Sequence, residues 1–345
     1  MRRISIVLLG IVLTGLSPAM AEENQKLSIS DLRTPASPAF TLLGVSPTLV
    51  DRPGSARDFA ISILSSLEES ADGDLPRSVA VEATPYWWSG RDVTIEEYDR
   101  TALNPFTAVP RTFSLSLGTA ATEWMSGTNT VEGTAIGIGA RCLLFEGHMS
   151  TETNQLLKAA QEALSAEAAQ QGAPGPIDLS EAAQAAVDKF RAANLQREGF
   201  MLEFAGAVVF DDREDGFEHT KSAVWLTPSF RTAVGSPLHN LTFVGVGRYT
   251  EDSSESSTQQ LIDLGGRVVW AGAQFPAALS FEYVHRQGDD YDDSDHIVGV
   301  LEYRMSDTYS FIASFGRTFE DFEGQEQLVA IAGINIGFGD GPVVK

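Results

Sequence analysis

The chain has 345 residues, 43% of them hydrophobic and 21% charged, with a formal net charge of −23. An acid excess of that size excludes nucleic acid as a partner, and the single cysteine, Cys142, excludes an intramolecular disulfide and a cysteine-built metal centre. Beyond the N-terminal leader no apolar run is long enough for a transmembrane helix, so any membrane span must be made of strands.

Arg2 and Arg3, the apolar run from Ile4 to Leu16 and Ala19-Met20-Ala21 before Glu22 have the layout of a cleaved secretory signal peptide over residues 1–21. Residues 22–56 carry prolines at 35, 38, 47 and 53 and short apolar pieces such as Phe40 to Val45, which reads as an extended segment that stays periplasmic or enters a lumen.

From residue 57 onward the dominant signal has a period of two, the repeat of a strand. In 57–66, Phe59, Ile61 and Ile63 alternate with Asp58, Ala60 and Ser62. Further runs begin near 78, 111, 134, 200, 221, 240, 260, 277, 296, 308 and 327, which predicts twelve strands. Charged residues fall at alternate positions inside these runs while the opposite face is apolar. In chain order they are Glu82, Arg141, Glu203, Arg231, Arg248, Asp263, Arg267, Glu282, Glu302 and Arg304. Between 297 and 305, for instance, Ile297, Gly299, Leu301, Tyr303 and Met305 share one face, and Val298, Val300, Glu302 and Arg304 share the other. A soluble β-sandwich also alternates, but it needs two apolar faces to meet, and here the second face is polar or glycine-rich in nearly every strand. A transmembrane barrel needs only lipid outside and accepts charge inside.

The fold class that follows is all-β: an antiparallel up-and-down transmembrane barrel of about twelve strands over 57–338, followed by a tail at 339–345. Tyr86, Trp87, Trp88 and Trp270 near strand ends suit an interfacial aromatic girdle, and Gly137, Gly139, Gly265 and Gly266 inside strands suit curvature or close packing.

One insertion interrupts the pattern. Residues 151–196 are rich in Ala, Gln, Glu and Lys, with Leu157, Ala160, Leu164 and Ala168 on one helical face and Ala183, Val187 and Phe190 on another. Gly172 to Pro176 divides them into an α-helical hairpin, and Asp178 with Glu181 is spaced as a capping box. Acidic stretches at 68–72, 211–215, 251–255, 289–293 and 320–323 follow alternate strands and predict longer outward-facing loops, with shorter turns on the periplasmic rim. Counting strands then puts the hairpin on the periplasmic side, as a capping element or a docking arm for a periplasmic partner.

In the last run, Leu328, Ala330, Ala332, Ile334, Ile336 and Phe338 lie on one face and Gly333, Asn335 and Gly337 on the other. With this closing strand and its terminal aromatic, the chain resembles the outer-membrane β-barrel proteins of Gram-negative bacteria. The resemblance covers roughly 57–338, identifies no subfamily, and implies an outer-membrane location, contact with outer-membrane lipid and recognition of Phe338 by the barrel assembly machinery. The tail Gly339 to Lys345 departs from the usual terminal position of that aromatic.

The functional expectation is a passive channel or an envelope structural component whose inward charges either pair or set up a field across the lumen. Arg267 beside Glu282, and Arg304 near Glu282 or Glu302, are the expected pairs. A closed barrel that recruits a partner is the second reading. The third is a rim hydrolase using His285 and His296 with Asp289, Asp290, Asp292, Asp293 and Asp295. No G-x-S-x-G, H-E-x-x-H or Walker loop is present, and no enzyme activity, cofactor or metal is expected.

Overall fold

The computed structural model describes residues 37–51, 53, 59–66, 78–89, 105–126, 129–171, 180–192, 197–213, 216–232, 241–254, 258–271, 276–289, 291–306, 309–319 and 328–338. The signal peptide at 1–21, the tail at 339–345, Gly172 to Pro176, Asp178 and the acidic stretches 68–72 and 320–323 lie outside the described residues.

Twelve antiparallel strands close into a barrel in which each pairs with its sequence neighbours and the first pairs with the last. They are β1 (Phe59–Ser66), β2 (Ser78–Ala83), β3 (Ser114–Ser126), β4 (Asn129–Met149), β5 (Arg197–Arg213), β6 (Gly216–Arg231), β7 (Leu241–Asp252), β8 (Gln259–Ala271), β9 (Ala277–Gly288), β10 (Tyr291–Arg304), β11 (Tyr309–Arg317) and β12 (Leu328–Phe338). Closure runs from Phe59↔Phe338 to Ser66↔Ile331, and the Ser62 hydroxyl meets the Asn335 amide oxygen across it at 3.4 Å. With every edge paired, no open edge strand is left to satisfy.

Alternation sets the two faces. Phe281 and Leu264 are each 57% exposed outside, whereas Glu282 is fully buried inside. The outward row Phe200, Phe230, Phe243, Val268, Phe281, Leu301 and Phe315 continues around the wall, and the registers Phe200↔Phe230, Phe230↔Phe243, Phe243↔Val268 and Val268↔Phe281 keep part of that row level. In water such a belt would be a large exposed apolar patch; lipid covers it. No described helix is long and apolar enough to cross a membrane. A barrel that is apolar outside and charged inside crosses with its strands, and single-chain barrels of this kind sit in the outer membrane of Gram-negative bacteria.

Several boundaries differ from those expected. The run begun at 111 starts at Ser114, because Pro105–Thr112 forms helix α2, a range that already includes Arg111 and Thr112. The acidic stretches at 211–215 and 289–293 are mostly strand ends: only two residues separate β5 from β6 and β9 from β10. Side-chain alternation keeps Asp212 and Asp293 outward at those ends, so the charges solvate the rim without a long loop. The longest connections, residues 84–113 and 150–196, instead leave the rim where β1 begins and β12 ends.

Residues 150–196 contain helices α3 (Thr151–Gln171) and α4 (Glu181–Ala192), which pack against each other with Ala160 and Ala183 buried. Ser150 caps α3 through a bond from the Thr153 amide at 3.2 Å. Ser180, one residue before Glu181, caps α4 through the Ala183 amide at 3.3 Å.

Inside the barrel lies residues 37–51, expected as an extended piece but beginning as helix α1 (Pro38–Leu43). Its local sequence explains it. Ser37 accepts a bond from the Phe40 amide, Pro38 takes the first helical position, and Gly44 ends the helix at φ 75°.

Candidate functional site: the charged lumen and its N-terminal occupant

All ten alternating charges project inward. Nine of them are buried, and Glu82 is partly buried. Arg141 on β4 grips Glu82 on β2, with Nε donating to Oε1 at 2.9 Å and Nη2 to Oε2 at 2.6 Å, and lies 4.0 Å from Glu203 on β5. Asp263 on β8 is held from both sides: Arg248 Nε donates at 2.8 Å, and Arg286 donates through Nε at 2.7 Å and Nη2 at 3.0 Å. The Arg286 guanidinium also lies 3.8 Å over the Phe319 ring, a cation–π contact. Arg231 donates to the Arg197 carbonyl at 3.2 Å, and Arg304 donates to the Ser306 carbonyl at 3.1 Å.

Arg267 and Glu282 stand directly opposite in register, yet their side chains take different partners. The Arg267 guanidinium bonds Glu302 and, through Nε, the Ser280 hydroxyl at 2.9 Å. Glu282 is thereby left to the N-terminal segment: its Oε1 accepts from the Leu49 amide at 2.7 Å and its Oε2 from the Val50 amide at 3.2 Å. Arg267 Nη1 reaches the Val50 carbonyl at 3.4 Å.

The opposite wall is shaped for α1. Ser116, Gly118, Ala120, Ala135, Gly137, Gly139, Ala205 and Ala207 form an inward field of small residues. The Ser116 hydroxyl accepts a bond from the Ala39 amide at 3.2 Å. A Cβ added at Gly139 would meet Pro38 Cβ at 2.6 Å and Ala39 N at 2.9 Å, and one at Gly137 would meet the Ala39 carbonyl at 3.0 Å. The glycines are there because a helix lies on them. Phe40 is buried with Ala80, Val298, Val300 and Ile312, while Leu42 and Val50 enter a cluster with Val209, Trp225, Val244, Val246, Val284 and Phe319.

A further buried charge group, which alternation did not indicate, sits toward the rim where the chain enters the barrel: Glu146 accepts from Arg111 and lies 3.1 Å from Arg197. Arg111 belongs to a helix, so no period of two announces it. Arg286 was not singled out in the sequence and His296 was read as a rim residue, yet each shares parity with an inward neighbour, Arg286 with Glu282 and His296 with Glu302; continuing the alternation would have placed both in the lumen.

That parity also separates the two rim histidines. His296 faces inward, 3.3 Å from Glu282 and against the Phe319 ring. His285 faces outward, its Nδ1 2.9 Å from Asp295, which also accepts from the Tyr283 hydroxyl at 2.8 Å. Both are strand residues on opposite faces of the wall, so they do not form one loop site. Among the described residues no group of three or more His, Cys, Asp or Glu side chains is arranged to hold a metal.

No family model and no curated protein matches the chain. Among solved structures it is similar to the KdgM porin over 81% of this chain and 99% of that one, at 8% identity and a TM-score of 0.38. It is also similar to a bacterial polysaccharide outer membrane secretin (81% and 98% covered, 10% identity, TM-score 0.30) and to the toluene transporter TodX of P. putida (82% and 89% covered, 7% identity, TM-score 0.30).

Proposed function

We propose that this protein is a passive outer-membrane channel, drawn here in a closed state in which residues 37–51 occupy its lumen. The observation that carries the reading is that the occupant belongs to no strand. It is joined to β1 through residues 52–58 and held by wall side chains, so it can leave without breaking a single strand pair. The inward charges then line the path that is exposed, where arginine–carboxylate pairs between neighbouring or next-but-one strands select among ions. Outer-membrane lipid and the barrel assembly machinery are the partners of such a barrel, the latter through the closing strand that ends at Phe338.

A closed scaffold is the second reading, favoured by the filled lumen and by the helical pair α3–α4, which we place on the periplasmic rim as a docking element. Deleting 151–196 separates the two. A channel lacking the hairpin still conducts in a planar bilayer once its lumen is cleared, whereas a scaffold is silent and loses a periplasmic partner in pull-down. Silence of a folded, cleared barrel overturns the channel reading.

A further inference from the structure

The contacts that hold residues 37–51 share a property independent of conduction: the hydrogen bonds from Ser116, Glu282 and Arg267 of the barrel wall go to the segment's main chain. Ser116 takes the Ala39 amide, Glu282 takes the consecutive amides of Leu49 and Val50, and Arg267 reaches the Val50 carbonyl. Successive N–H groups of an extended chain point to opposite sides, whereas here the chain bends at Leu49 and Val50, so that one carboxylate takes both N–H groups and a guanidinium takes the following C=O; the pair reads a main-chain bend, whatever its side chains.

The reading groups are rigid. Glu282 and Arg267 are at most 1% exposed. Arg267 is fixed by Glu302 and Ser280, and Glu282 is flanked by His296 at 3.3 Å. Around them, Val244, Val246 and Val284 offer an aliphatic wall without shape demands beyond size.

We infer that the lumen contains a binding site for a bend of peptide main chain, built by Glu282 and Arg267, which the bend at Leu49 and Val50 occupies in cis and which an aliphatic peptide that bends in the same way can fill in trans. The site deepens the channel reading by naming a ligand class, but binding is measurable whether or not the barrel conducts.

The test uses the full chain carrying Leu49→Pro and Val50→Pro together, which removes both cis N–H donors and leaves the wall untouched; heat-modifiable gel migration confirms the folded barrel. A fluorescein-labelled peptide with the sequence of residues 44–53 is titrated in, and anisotropy reports binding. The peptide is expected to bind, and its counterpart N-methylated at the two amides corresponding to Leu49 and Val50 is expected to bind at least about tenfold more weakly, since two bonds to a charged acceptor are lost. Equal binding of the two peptides, or of either to the same variant with Glu282→Gln added, overturns the site. So does a folded double-proline barrel that binds neither. If that variant does not fold, amide hydrogen exchange at Leu49 and Val50 in the otherwise unaltered chain decides: Glu282→Gln is expected to speed both at least about tenfold, and unchanged exchange overturns the proposal.

Discussion

Substituting Gly139 by alanine tests whether the glycine wall exists for the lumen segment. The added methyl would lie 2.6 Å from Pro38 Cβ and 2.9 Å from Ala39 N, with the Ser116 hydroxyl 2.8 Å away. Ser116 can rotate, but Pro38 and the Ala39 backbone cannot yield without lifting α1 off the wall. Overpacking of this kind costs about 1–3 kcal/mol, which shifts the ratio of unseated to seated segment about 5- to 150-fold. The barrel itself should not suffer, because alanine in a strand is no worse than glycine. Gly118→Ala serves as the mild comparison, since its methyl meets only the Leu43 side-chain end at 3.2 Å and ordinary neighbours beyond. Gly316→Ala is the opposite control: there the methyl would lie 2.1 Å from the Ile297 carbonyl of the neighbouring strand, so barrel assembly should fail. Open probability in planar bilayers, read beside heat-modifiable migration, should rank Gly139→Ala well above Gly118→Ala with both folded. Equal open probability for Gly139→Ala and the unaltered chain would refute the seating argument.

Three further outcomes are expected. Arg141→Ala leaves the buried Glu203 and the partly buried Glu82 without their guanidinium and should destabilise the barrel by about 3–5 kcal/mol, seen as a lower denaturant midpoint for the gel-migration transition; an unchanged midpoint would mean that the pair contributes nothing. In a barrel with the segment unseated, Arg304→Glu should move the reversal potential in a salt gradient toward cation preference, and no movement would put Arg304 off the ion path. Asp51 lies on the lumen segment rather than in a strand, and burial pushes its carboxyl up to about 8, with Arg141 opposing and Glu203, Glu282 and Glu82 reinforcing. A carboxyl raised in the seated state supports seating fully below its ordinary acidic value and loses that contribution as pH rises through about 8. Open probability should therefore climb from about pH 4 and level off above about pH 8, and Asp51→Asn should flatten the climb.

The barrel was legible because alternation is local: Glu282 between Phe281 and Tyr283, or Arg267 before Val268, declares its face from its nearest neighbours alone. Twelve strands followed from the same signal, including the weak first strand. The lumen occupant was half legible: the segment was read as one that stays periplasmic or enters a lumen, but its helix and its seat were missed, because what marks them is distributed. Ser-Pro before Phe40 and Gly44 after Leu43 do encode a short capped helix, but its position depends on small inward residues of β3, β4 and β5, from Ser116 to Ala207, that lie far along the sequence from it. Pairing partners were half legible. Register puts Arg267 opposite Glu282, yet a guanidinium reaches beyond its own cross-strand partner, and the nearer carboxylate was claimed by the Leu49 and Val50 amides. The helix-borne Arg111 carried no strand signal at all, and its partner Glu146 was hidden because the register shift after Leu143 on β4 reverses the parity of the inward face.

The most direct measurement of the central claim, that residues 37–51 close a conducting barrel, is single-channel recording of the refolded chain alongside its Leu49→Pro, Val50→Pro variant. The account predicts a mostly silent parent and a variant with sustained discrete conductance steps, both with the migration shift of a folded barrel. A folded variant as silent as its parent would contradict it.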